Sequence, residues 1–243
     1  MTHDPRSGPL VGVIGGVGPL ATAYFLDKIV RLTAAERDQD HVDLVVFNHA
    51  SIPDRTDFVV GRSLENPGPV MADDARRLEA FGSDFLVLPC NTAHTFTDEI
   101  QRAVEIPLLS IVGETIDEAR RRVPGLARAG VLATTGTVRS GVYHRALEER
   151  GIEPVAPAGG DQDAVMTIIY DQVKAGRPVD LEALRSVVAR LVADGAEVVL
   201  LGCTELSVVA QDAGLLADPL YVDSLDVLAR VTIERAGRRV RTA

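Results

Sequence analysis

Cysteine is scarce in this chain, with two in 243 residues, and so is lysine, with two among 25 basic side chains. Two cysteines are too few for a disulfide framework and show none of the paired Cys/His spacing of a zinc site. No apolar run approaches the ~20 residues that span a bilayer, and the polar start, Met1 to Gly8, lacks the apolar segment of a signal peptide. A cytoplasmic location without a membrane partner is expected. Positive charge is also in deficit, 25 Lys and Arg against 35 Asp and Glu, a net charge of −10. Nucleic acid would have to meet a local basic patch. The two candidates, Arg120 to Arg122 and Arg235 to Arg241, read as helix ends where cations complement the dipole, so no nucleic-acid partner is expected. Low-complexity stretches and obvious linkers are missing too.

What is present is an alternation of short apolar runs with longer amphipathic segments, the pattern of βαβ units around a parallel sheet. Strands are expected over 10–15, 43–48, 84–89, 131–133 and 198–201, and helices over 19–35, 140–150, 162–175 and 180–194. At 46% hydrophobic residues the chain can bury one large core or two smaller ones. An internal echo favours two: Gly12-Val-Ile-Gly-Gly-Val-Gly18 resembles Gly130-Val-Leu-Ala-Thr-Thr-Gly136, and Leu86-Val-Leu-Pro-Cys90 resembles Val199-Leu-Leu-Gly-Cys203, at nearly the same offset. Each half then opens with a strand and a Gly/Thr turn and later places a cysteine just past a strand. Ligands bind at the carboxyl ends of strands in parallel sheets, so two facing halves put both cysteines across one cleft.

A cysteine pair can move a proton on and off a carbon, one thiolate taking it from one face while the opposite thiol supplies another. Cys90 is followed by Asn91-Thr92-Ala93-His94 and Cys203 by Thr204-Glu205-Leu206. Both stand where a strand ends and a helix can start, so backbone N–H groups can favour a thiolate or a bound carboxylate. Packing cysteines need no such polar neighbours. A metal held by Cys90 and His94, with Cys203 and Glu205, has no supporting spacing, and no metal is expected.

At these residues the sequence resembles the aspartate/glutamate racemase superfamily, and most closely its aspartate racemases. The resemblance runs nearly the whole chain, through Gly15-Gly16-Val17-Gly18-Pro19, Asn48 to Thr56, Pro89 to His94, Leu132 to Thr137 and Gly202 to Leu206. It implies an α/β fold of two pseudosymmetric three-layer half-domains with mainly parallel sheets and the active site in the cleft between them. It divides the chain into 1–107, joined by a C-terminal helix over 215–243, and 108–214. It implies no cofactor, a homodimer and a dicarboxylic amino acid as substrate. Carried over, it makes Cys90 and Cys203 the acid/base pair, and Asn91, Thr92, Thr135 and Thr204 ligands of the substrate's carboxylate and amino groups. Val17 joins them from the glycine loop, and Arg55 and Lys174 are the cations for the side-chain carboxylate.

Other readings fit less well. Gly16-Val-Gly18-Pro-Leu-Ala21 matches a dinucleotide fingerprint, but Asn48-His49 stands where the fingerprint expects an acid, and Pro19 removes an N–H from the loop. A pyridoxal phosphate enzyme needs a Schiff-base lysine, and neither Lys28 nor Lys174 adjoins an evident phosphate cradle. The alternatives that remain open are a glutamate or broad-specificity racemase, a maleate-isomerase-like enzyme, and a non-catalytic binder of acidic amino acids.

Overall fold

A computed structural model describes residues 8–241. The first half runs β1 (Val11–Gly15), α1 (Pro19–Leu32), β2 (Leu44–Asn48), α2 (Arg55–Val59), α3 (Gly68–Phe81), β3 (Phe85–Val87) and α4 (Thr97–Gln101), ending at α5 (Ile111–Arg122). The second runs β4 (Arg128–Leu132), α6 (Thr135–Ser140), α7 (Val142–Glu148), β5 (Glu153–Val155), α8 (Gly160–Met166), α9 (Leu181–Ala193), β6 (Val198–Leu201), α10 (Thr204–Asp212), β7 (Tyr221–Asp223) and α11 (Ser224–Arg235). All ladders are parallel, in the orders β2-β1-β3 and β5-β4-β6-β7. Residues 107–109 lie beside β3, with Leu86 N–H donating to Pro107 O and Leu109 N–H to Leu86 O, so both sheets share one order. The central strands β1 and β4 are the echoed segments, and each cysteine follows the strand next to a central one.

β1 throughout, and β4 from Ala129 on, are apolar and buried on both faces, as a parallel sheet covered by helices requires. One buried cluster runs through both halves, from Val13, Phe25 and Ile29 to Tyr143, Leu200 and Leu228. Separate clusters fill the outer side of each half, around Met71 and Leu78 in the first and Val187 and Leu191 in the second. The joining layer comes from an exchange of helices. Following the first sheet, α5 packs on β6, β7 and α7, whereas α11, which follows the second sheet, packs on α1 and on α5.

The helix expected over 215–243 is shorter, Ser224–Arg235, because Tyr221–Asp223 is a buried strand paired with Val199–Leu201. Asp223 caps α11, its carboxylate accepting from Leu225 N–H at 3.0 Å. The last two residues of the expected span, 242 and 243, lie outside the described residues. The helix expected over 140–150 is interrupted by Gly141, whose φ of 69° is left-handed, and the one over 162–175 changes from α to π geometry over Thr167–Val173. No helix of the described residues is long and apolar enough to cross a membrane. Arg122 and Arg235 end α5 and α11, as expected for the basic runs.

Candidate active site

Two close approaches draw the polar loops together. Gly16, at φ 84°, lies against the backbone of His49, where a Cβ would come within 2.3 Å of the carbonyl carbon. Gly136 does the same between the halves, since a Cβ there would lie 2.8 Å from Thr56 Cα. Beside that contact four threonine hydroxyls meet: Thr92 lies 2.7 Å from Thr137 and 3.1 Å from Thr134, and Thr56 donates to Thr134 at 3.3 Å. Thr56 and Thr92 come from the first half, Thr134 and Thr137 from the second.

Above this cluster a small pocket is lined by Val17, Arg55, Cys90, Asn91, Thr92, Lys174, Cys203 and Thr204, all expected at the site. Asp54, Thr56, Thr134, Tyr170 and Glu205 complete it. Only about 20 Å³ of it is free for the centre of a water molecule. That is room for about one water. Thr135, also expected here, is absent from the lining. Its hydroxyl accepts from Gln162 Nε2 at 3.3 Å, and its neighbour Thr134 faces the pocket. Consecutive residues at a helix start point about 100° apart, so a motif off by one position turns the hydroxyl away.

Cys90 and Cys203 are both buried. Cys203 is the N-cap of α10. Its thiol donates to Glu205 Oε2 at 3.1 Å. Burial, then the charge and hydrogen bond of Glu205, push this thiol well above the ordinary range, against the pull of Lys174. Cys203 is therefore held as a thiol, a proton donor. Lys174 Nζ lies 3.5 Å from Glu205 Oε1 and 4.5 Å from the Tyr170 ring centre. Burial lowers the affinity of Lys174 for its proton, but the Glu205 carboxylate, the largest opposing influence, raises it, so the ammonium is kept.

Arg55 opens α2, which Asp54 caps by accepting from Asp57 N–H at 2.9 Å. Its Nη1 donates to the carbonyls of Ile52 and Pro53, and its buried Nε has no hydrogen-bond partner. An unmatched guanidinium donor in a pocket wall is suited to an incoming carboxylate. Asn91 is committed to the frame: Oδ1 accepts from Tyr143 O–H at 2.7 Å and Nδ2 donates to Ser224 Oγ at 3.0 Å.

His94 holds the Cys90 loop in place. Its Nδ1–H donates to Cys90 O at 2.9 Å, and Nε2 accepts from Ile111 N–H at 3.2 Å, which assigns the neutral tautomer. Burial depresses its pKa. A depressed folded value means stability that is present above the unfolded histidine value of about 6.5 and is lost as pH falls through the folded one. Urea unfolding should therefore show a falling midpoint below about pH 6.5. His94→Gln should flatten that slope, and an unchanged slope in the variant would assign it to other groups.

The sequence model of the family described as Asp/Glu/Hydantoin racemase matches residues 14–232. The chain belongs to this family. Among curated relatives, the broad specificity amino-acid racemase RacX of Bacillus subtilis is 32% identical over 231 residues, covering 92% of this chain and 96% of that protein. Among solved structures, the Picrophilus torridus aspartate racemase superposes with a TM-score of 0.79 at 32% identity, covering 96% of each chain. An aspartate racemase homologue from Pyrococcus horikoshii gives 0.75 at 26% identity, covering 94% of this chain and 99% of that one. The two-half α/β fold is thus that of the racemase family.

Proposed function

We propose that this racemase-family chain is a cofactor-independent amino-acid racemase that inverts aspartate with two thiols, Cys90 and Cys203. One observation carries the reading: cysteines from equivalent places in the two halves line one small pocket that also holds Arg55 and Lys174. One thiolate removes the α-proton, the opposite thiol returns a proton on the other face, and the roles reverse for the other enantiomer. The threonine hydroxyls and Arg55 supply donors for the substrate carboxylates, and charge that develops on the α-carboxylate during proton removal is stabilised by such fixed donors. Excluding water strengthens those interactions.

The test is incubation of the purified protein, without cofactor, with L-aspartate, L-glutamate and L-alanine, followed by chiral chromatography. Aspartate should invert fastest. Arg55→Ala should raise the aspartate KM by about 10–100-fold, the cost of a hydrogen bond to a charged group, and leave alanine nearly unchanged. Equal losses for both substrates would remove Arg55 from side-chain recognition, and no inversion of any substrate would remove the activity. A broad-specificity racemase is the second reading. It is favoured by the Lys174–Glu205 pair, which neutralises one of the two cations.

A further inference from the structure

Next to the inner pocket lies an outer cavity, lined by Gly16, Gly18, Pro19, Leu20, Ala50 and Ile52, with about 320 Å³ free for water. Asp54, Arg55, Lys174 and Glu205 line both spaces and so stand between them. These four groups, two cations and two anions, balance. Asp54 is engaged as a helix cap, but Glu205 carries no structural bond of that kind. Its Oε2 accepts from Cys203 and Thr204, and its Oε1 faces Lys174. The Lys174 side chain is 30% exposed against 10% for Glu205, so the cation is on the solvent side of the pair. A ligand entering from the outer cavity has to open this ion pair, because the inner pocket holds no more than about one water.

We propose that Glu205 is the acceptor for the substrate's α-ammonium and, by holding Lys174 until an ammonium arrives, excludes dicarboxylic acids that lack an amine. The proposal rests on the racemase reading of this site. The geometry fits one ligand to both ends of the opened pair. Glu205 Oε2 lies 3.1 Å from Cys203 Sγ, and an ammonium on the carbon facing that sulfur is one bond from the reacting atom. In aspartate only two carbons separate the ammonium nitrogen from the side-chain carboxylate carbon, so that carboxylate reaches Lys174 as the ammonium replaces it at Glu205. A dicarboxylate without an amine offers Lys174 a new partner but leaves Glu205, 8% exposed, as a buried charge without a counter-ion. Docking of the ammonium also cancels the Glu205 charge that helps to hold Cys203 protonated, which couples amine recognition to the proton on the thiol.

The test is calorimetric titration of wild type and Glu205→Gln with L-aspartate and with succinate. Wild type should favour aspartate. The Gln variant, with Lys174 released and no anion to leave unpaired, should bind succinate about tenfold more tightly and aspartate more weakly. Lys174→Met in the Glu205→Gln background should abolish the succinate gain. Should Glu205→Gln not fold, Lys174→Met alone carries the test: both ligands weaken together and the preference for aspartate stays, because Glu205 still takes the amine. An aspartate-to-succinate ratio unchanged by Glu205→Gln, collapse of that ratio in Lys174→Met, or no aspartate binding to wild type overturns the proposal. Calorimetry reads binding without turnover. A shifted ratio in a protein that inverts nothing would sink the racemase reading alone, and inversion with an unshifted ratio would sink this one alone.

Discussion

Serine at Cys90 or at Cys203 is expected to lower racemization by about 10²–10⁴-fold, the usual contribution of a positioned acid or base. A serine hydroxyl fills nearly the same space but does not ionise near neutral pH. Both positions should matter equally, since in the proposed mechanism each thiol is base for one enantiomer and acid for the other. The variants should remain folded: at 203 a hydroxyl can still donate to Glu205, as the thiol does. They should also be informative beyond the loss. A single remaining thiol can remove a proton from the face it touches and return it to that face. Each variant is therefore expected to exchange the α-proton of one enantiomer without inverting it, the two variants acting on opposite enantiomers. Racemization within tenfold of wild type in both variants would contradict the assignment.

Lys28→Met should destabilise the fold by about 3–5 kcal/mol, the cost of leaving a buried charge without its partner. Lys28, buried in α1, lies 2.9 Å from Asp226 Oδ1 and 3.7 Å from Asp223 Oδ2. Asp223 is 3% exposed, caps α11 and accepts from the Ser207 hydroxyl. Burial already pushes its carboxyl upward, and Lys28 is the largest opposing influence. The pair ties the first half to the helix that returns from the second. Without the ammonium, Asp223 will take a proton more readily. The raised folded value means that the penalty is smallest near the ordinary carboxylate pKa and grows as pH rises through the raised one. Chemical denaturation at pH 5 and pH 8 should show the larger deficit at pH 8. A loss below about 1 kcal/mol at both pH values would place the pair among ordinary surface ion pairs.

Much of the site was legible because its residues sit in short runs at strand ends, where a parallel sheet gathers ligand-facing groups. Cys90 and Cys203 directly follow strands, and Arg55 lies in the loop region after β2, whereas Lys174 ends a helical segment. Thr134 rather than Thr135 lines the pocket because it is the N-cap of α6, and which of two adjacent threonines caps a helix is set by where the helix starts. Tyr170 carried a signal that went unused, its four-residue spacing from Lys174 on a helical segment, but the π turn over Thr167–Val173 alters how such spacing maps to a face. Thr56 became readable only with the fold, since its partners Thr134 and Gly136 lie in the other half. The exchange of α5 and α11 is likewise invisible to local pattern. Their amphipathic faces show that each covers apolar surface, and nothing in either helix says which sheet supplies it.

The central claim is that two thiols act from opposite faces of one carbon. Its most direct test is the early time course in D₂O with L-aspartate, reading deuterium at Cα separately in product and in unconverted substrate. Two bases predict D-aspartate that carries deuterium from the first turnovers while the remaining L-aspartate keeps its proton. Equal deuterium in both pools from the start would mean that a single base serves both faces, and would contradict the account.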